Sequence, residues 1–276
     1  MNKKKRFYLI GDIIGIISAI VIFGTPFYFM FLNSLKGRRE ANSLSIDWPE
    51  VFQWNNYKEV ITSSNGILFT AFKNSILLTL GAVILLIITC SMSGYVLNRR
   101  KDKATSAINL LILSGLMVPP AIMPTIWVMQ GLHIYRTLYG MILVEVALQT
   151  PFTIMLYRGF MSCIPLELEE AGYIDGCTRL KLFLQIVFPL LKPVTATVII
   201  LNAVNIFNDF TNPLYFLPGT KNATVQLTLY NFKGQFSSSY NLLFADVIII
   251  TIPMLILFIF FNKKIVDGMV AGAVKG

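Results

Sequence analysis

Apolar and polar positions alternate along this chain in blocks far longer than those of a water-soluble protein. Apolar runs cover 9–32, 75–97, 107–129, 138–157, 193–214 and 242–261. A helix needs about 20 such residues to cross a bilayer. The pattern predicts an all-α polytopic membrane protein: one transmembrane domain over 1–276, with six spans. Asp12, near the start of the first run, falls at headgroup level, and the segment from 33 to 73 is too polar to span. Arg99, Arg100, Lys101 and Lys103 end the second span, and Asn262, Lys263 and Lys264 end the sixth. Pro119, Pro120 and Pro124 must break or kink the third. Such breaks are tolerated where the freed backbone groups meet protein or a water-filled cavity.

A polar island, 162–192, separates the fourth and fifth spans and holds Glu167, Glu169, Glu170, Asp175, Arg179, Lys181 and Lys192. That much charge belongs in water. Pro165 suits a helix start, and the three glutamates crowd the first turns, where they oppose the positive end of the helix dipole. Ala171 and Gly172 leave almost no side chain above the backbone. Asp175-Gly176 is a turn signal, and Thr178 can cap a second helix whose Leu182, Phe183, Ile186 and Val187 recur at helical spacing. Pro189 is expected to stop that helix and Pro193 to open the fifth span. The island therefore reads as helix, glycine turn, helix, with an acidic group beside a smooth surface that suits a protein partner.

Composition agrees with a membrane protein. The 276 residues are 55% hydrophobic and 13% charged, with a mean hydropathy of +0.67, whereas soluble domains carry roughly 25% charge. The net charge of +9 does not indicate nucleic acid, because the Lys and Arg residues flank the apolar runs and form no basic stripe. Lys3 to Arg6 precede an apolar run too long for a signal peptide, which therefore stays as an anchor. Six spans put both termini on one side. Most of the 23 basic residues fall on that side, so the termini and the island are expected in the cytoplasm, despite Arg38 and Arg39 opposite. Cys90, Cys163 and Cys177 have no pairing or metal spacing and read as free thiols; His133 stands alone.

The fifth span carries the most chemistry. Asn202, Asn205, Asn208, Asp209 and Asn212 would share one face of a continuous helix. Such a face must meet other helices, with Asn as interhelical glue, or a hydrated path. Around Asp209, with Phe207, Phe210 and Tyr215, neutral amides, one carboxylate and aromatic faces suit a polyhydroxylated neutral solute. Asn205, Asn208, Asp209 and Tyr215 are the candidate path residues. Glu145 and Asp246 remain open between structural and path roles. No HExxH, GxSxG or phosphate-binding glycine loop occurs, and Glu169 and Glu170 point in different directions, so they cannot flank one bond. Any ATP must be bound elsewhere.

Glu170-Ala171-Gly172, Asp175-Gly176, Phe183, Ile186 and Pro189 resemble the EAA loop of binding-protein-dependent ABC importer permeases. Asn33-Ser34-Leu35-Lys36, Trp54-Asn55-Asn56-Tyr57, Val118-Pro119-Pro120, Pro151-Phe152, Phe207-Asn208-Asp209-Phe210 and the ending Ala271 to Gly276 are similar to the maltose-type carbohydrate permeases. The resemblance implies a type I importer fold in a prokaryotic plasma membrane and a heterodimer with a second, related permease. It also implies two cytoplasmic ATPase subunits carrying ATP and magnesium, and an extracytoplasmic sugar-binding protein; no cofactor is implied on this chain. By carry-over, Glu170 would meet a basic group in the ATPase cleft, Ala171 and Gly172 would permit close seating, and Gly176 would form the turn. Two positions depart from the family's pattern: Gly172 stands for its second Ala, and Cys177 for a small residue. The alternative, a stand-alone secondary carrier or channel, would need its own coupling-ion site and usually an internal repeat, and neither is found.

Overall fold

Proline and glycine positions set where the helices of this chain break. A computed structural model describes residues 3–233 and 238–273. In order, the helices are α1 (Lys3–Ser34), α2 (Arg38–Asn42), α3 (Asn55–Arg99), α4 (Lys103–Met117), α5 (Ile122–Gly131), α6 (Leu138–Met161) and α7 (Glu167–Ile174). Next come α8 (Arg179–Leu182), a π turn (Phe183–Val187), α9 (Phe188–Leu190), α10 (Lys192–Phe207), α11 (Thr211–Phe216), α12 (Val225–Thr228) and α13 (Tyr240–Ala273). The described residues form no sheet, only an isolated bridge between Lys233 and Ser238.

Among the described residues, four helices are long and apolar enough to cross a bilayer: Gly11–Ser34, Asn55–Arg99, Leu138–Met161 and Tyr240–Phe260. A fifth crossing is available if Arg179–Leu190 and Lys192–Phe207, bent by 75°, count as one. The third predicted span is divided. Val118, at ψ 118°, ends α4 ahead of Pro119-Pro120, and α5 restarts at Ile122. A residue before proline is pushed out of the helical region, so the break follows from the sequence. Two helices run past their predicted ends. α3 begins at Asn55 and turns through Ser63 to Gly66, where three consecutive residues have positive φ. The backbone of α13 stays helical to Ala273, so Lys263 and Lys264 do not end the helix. Charge is unfavourable in lipid but not in a helix surrounded by water. Val274, Lys275 and Gly276 of the predicted family ending lie outside the described residues.

The described chain divides into two compact units. The first comprises Met1–Phe69 and Leu227–Ile252. In it the two short motifs around Asn33 and Trp54 meet. Asn56 donates from Nδ2 to the carbonyls of Ser34 (2.7 Å) and Lys36 (3.0 Å), and the Tyr57 and Ser34 hydroxyls are 2.8 Å apart. These bonds satisfy carbonyls that the end of α1 would leave orphaned. Asn241 adds a bond to Asn56 Oδ1 at 3.0 Å, and Asp246, fully buried, accepts from Thr228 at 2.8 Å. On α1, Ile13, Ile17, Ile20 and Phe23 are all exposed. An apolar helix in that condition is stable only in lipid or against another apolar surface.

The second unit, Thr70–Gln226 and Pro253–Gly276, holds the main core. Leu78, Leu86 and Cys90 of α3 pack with Tyr157 and Met161 of α6 and with Leu182, Val187, Leu191 and Val198. The two long helices approach closely at Gly94, where an added Cβ would lie 3.0 Å from Tyr157 Cβ. Small residues at such crossings let helix backbones pack tightly in membranes. Asn74 and Ser75 of α3 hold the loop at 221–225, through Asn74 to the Lys221 and Ala223 carbonyls and Val225 N–H to Ser75.

Candidate functional site

The predicted island folds as a helical hairpin on the second unit. α7 starts at Glu167, Asp175 closes it, and Gly176 turns the chain at φ +77°. No atom lies near an added Cβ at Gly176, so the left-handed backbone is what selects glycine there. Thr178 caps α8 by accepting from the Lys181 N–H at 3.4 Å.

Pro189 does not stop the second arm. It lacks an N–H and would leave the Gln185 carbonyl without its normal partner. The chain widens into the π turn just before it, with the Phe188 N–H bonded to the Phe183 carbonyl, and passes on into α9. The bend comes at Leu191, and Pro193 then sits in the first turn of α10, where a missing N–H costs nothing.

The adjacent acids have opposite fates. Glu169 is buried and fastens α7 to the end of α3. Its Oε1 accepts from Arg99 Nε at 2.7 Å and its Oε2 from Tyr95 at 2.8 Å, while Arg99 Nη2 also reaches the Ile164 carbonyl at 3.1 Å. Glu170 is exposed, one helix step away. Glu167, Glu170, Ala171 and Ile174 form an exposed stripe at helical spacing, and Ile174 is 86% exposed. Asp175 and Gly176 lie exposed at its end.

Gly172 is not part of that surface. It is buried beneath α7, where an added Cβ would come within 2.6 Å of Ile186 Cδ1 and 3.2 Å of Leu182 Cδ1. Its smallness serves the seam between the two arms of the hairpin, so the smooth outer patch reduces to Ala171. The residues that the sequence reading missed are Arg99, Tyr95 and the inward role of Glu169. One signal was present: Glu169 and Gly172 are three apart and so share a face.

The carboxamide stripe is not one helix face. α10 ends at Phe207, and Asn208 to Phe210 break the chain before α11. Pro213 accounts for the break, since its ring would clash with the carbonyl of Asp209 in a continuous helix. Asn202 is buried glue: its amide bonds Thr153 of α6 at 3.3 Å and the Val198 carbonyl at 2.9 Å. Asn205 and Asn208 are exposed, and Asn208 Oδ1 accepts from Gln226 at 3.1 Å. Asp209 accepts from the Asn212 N–H at 3.2 Å and its Nδ2 at 2.7 Å, holding the start of α11. Tyr215 is exposed, and its carbonyl accepts from the Tyr135 hydroxyl at 3.1 Å. Glu145, buried on α6, faces Asp209, and its Oε1 has no donor among the described residues. The break therefore gathers Asn208, Asp209 and Glu145, while Asn202 belongs to helix packing.

Residues 87–270, which include the whole hairpin, match the family described as binding-protein-dependent transport system inner membrane component. The chain is 35% identical over 269 residues to the melibiose/raffinose/stachyose import permease protein MelC of Bacillus subtilis, covering 96% of each chain. It is 29% identical over 252 residues to the probable starch degradation products transport system permease protein AmyC of Thermoanaerobacterium thermosulfurigenes, covering 91% of each. Its fold is shared with a chain from the crystal structure of a bacterial ABC transporter involved in the import of the acidic polysaccharide alginate. There the TM-score is 0.80 at 18% identity, over 95% of this chain and 98% of that one. This protein, an all-helical chain with several bilayer-length apolar helices and a type I ABC permease fold, belongs to the binding-protein-dependent transport system inner membrane components.

Proposed function

We propose that the chain is one permease subunit of an ATP-driven carbohydrate importer, and that α7 is its coupling helix. The observation that carries this reading is the division of labour on α7. Glu169 anchors the helix to α3, while Glu167, Glu170, Ala171 and Ile174 face outward, uncovered by any of the described residues. An acidic, partly apolar ridge on a rigid base suits a cleft with a basic rim in a partner. Glu170 pairs with a basic group there, Ala171 permits close approach, Ile174 fills an apolar pocket, and Asp175 and Gly176 shape the turn; Gly172 and Pro189 support the hairpin from within.

Membership of the family supports a set of partners for this chain. A second, related permease completes the path, two cytoplasmic ATPase subunits bind ATP and magnesium, and an extracytoplasmic sugar-binding protein delivers the solute. This chain holds no cofactor and catalyses no reaction. The domain is a single permease unit with six crossings, in which α4 with α5 and α10 with α11 form the third and fifth. Alone, α10 spans about 24 Å at 1.5 Å per residue, short of a hydrocarbon core of about 30 Å. The excess of basic residues beside the termini and the hairpin supports a cytoplasmic position for both. Near the broken end of α10, Asn205, Asn208, Asp209 and Tyr215 offer amide, carboxylate and aromatic contacts suited to a sugar.

Uptake by Glu170→Lys tests the coupling role. Expected is normal membrane insertion with transport abolished, because a lysine repels a basic cleft. Undiminished uptake with the ATPase still bound contradicts it.

A further inference from the structure

One cationic group of the second unit is used by neither the hairpin nor the α10 break. Arg158, near the end of α6, lines an open cleft with Asn98, Leu113, Met155, Gly159 and Ser162. Its guanidinium donates to Asn109 Oδ1 of α4, and among the described residues it has no carboxylate partner; the ion pair found there is Arg99–Glu169. A guanidinium has five donors, so one neutral amide leaves most of them free.

The walls of the cleft change character along its length. Leu113 of α4 and Met155 of α6 form its apolar part, and Met117 and Phe152 continue exposed apolar surface along the same two helices. At the other end stand Arg158, Asn98 and Ser162, whose hydroxyl bonds the Gly159 carbonyl at 2.7 Å. An apolar groove closed at one end by a cation and small polar groups matches an amphiphile with an anionic head. Asn98 adjoins Arg99, so this polar end lies level with the anchor of α7. Given the importer reading and its orientation, on which this inference rests, that level is the cytoplasmic headgroup region. Basic pockets between transmembrane helices on that side hold anionic lipid heads.

We propose that the α4–α6 cleft binds one anionic phospholipid, its phosphate on Arg158 and an acyl chain along Leu113 and Met155. Positioned there, the lipid braces the end of α6 directly before the coupling hairpin.

The test uses the complete transporter in nanodiscs of equal parts phosphatidylglycerol and phosphatidylcholine. Lipids retained on release are counted by native mass spectrometry. The wild type is expected to keep phosphatidylglycerol several-fold over phosphatidylcholine. Arg158→Gln abolishes that preference, Arg158→Lys keeps most of it, and Ser162→Glu, on an exposed position, expels the lipid by repulsion. If Arg158→Gln fails to assemble, Ser162→Glu decides. No preference in the wild type, or a preference unchanged in both Arg158→Gln and Ser162→Glu, overturns the proposal. So does efficient cross-linking of Met155→Cys to the second permease, since the groove would then be a subunit interface. Co-purification of the ATPase reports the importer reading separately: lipid preference absent with the ATPase bound sinks this proposal alone.

Discussion

Arg99 and Glu169 are joined at 2.7 Å across 70 residues of sequence, and their bond ties the exposed hairpin to the end of α3. Their side chains are 17% and 7% exposed, so the pair is largely shielded from water. Breaking one half of such a pair leaves an uncompensated charge, which costs about 3 kcal/mol. Glu169→Ala is therefore expected to lower the yield of folded protein in the membrane and its thermal unfolding temperature. Glu169→Gln, which can still bond Tyr95, should lose less. Glu170→Ala should change neither, since it removes a solvated side chain.

The seam under α7 gives a second prediction. Gly172→Ala places a methyl against Ile186 and Leu182, whose flexible ends can shift, and gains up to about 1 kcal/mol of helix propensity. The two effects nearly cancel, so stability and uptake should stay close to wild type. Gly172→Leu overpacks the seam by about 1–3 kcal/mol and should reduce ATPase coupling. Ile186→Ala in the same chain should restore part of it.

Much of the hairpin was legible in the sequence: the acidic first turn, the Asp175-Gly176 turn, the Thr178 cap and the start at Pro193 all appear where expected. Which acid points inward was signalled only by the face that Glu169 shares with Gly172, because Glu169 and Glu170 are chemically alike. Their roles are set by Arg99 and Tyr95, which only the tertiary fold brings near. The passage through Pro189 was hidden for a related reason, since a π turn relieves the clash that the rule for proline assumes. The interruption of the carboxamide face was legible in principle. Pro213 stands four residues after Asp209, and its ring is incompatible with a continuous helix through that carbonyl.

At Gly176 the left-handed φ of +77° predicts a local cost. Gly176→Ala should destabilise the hairpin by about 1–2 kcal/mol, whereas Gly176→Asn, which tolerates this region, should cost less. The order of the two variants in the ATPase activity of the assembled transporter checks this.

Asn202 and Asp209 should separate packing from transport. Asn202→Ala removes an interhelical bond worth about 0.6 kcal/mol in membranes, and should lower thermal stability slightly with little change in uptake. Asp209→Ala releases the start of α11 and should reduce uptake more than assembly. Uptake unchanged by both Asn208→Ala and Asp209→Ala would make these residues structural only.

The central claim is that the outer stripe of α7 seats on the ATPase. Site-directed cross-linking tests it most directly, in the assembled transporter with Cys163 and Cys177 replaced by serine and the buried Cys90 kept. Ile174→Cys, on the exposed stripe, is predicted to cross-link to the ATPase subunit, while Leu182→Cys, fully buried in the seam, is predicted not to. No cross-link from Ile174→Cys with the ATPase bound, or equal yields from the two positions, would contradict the account.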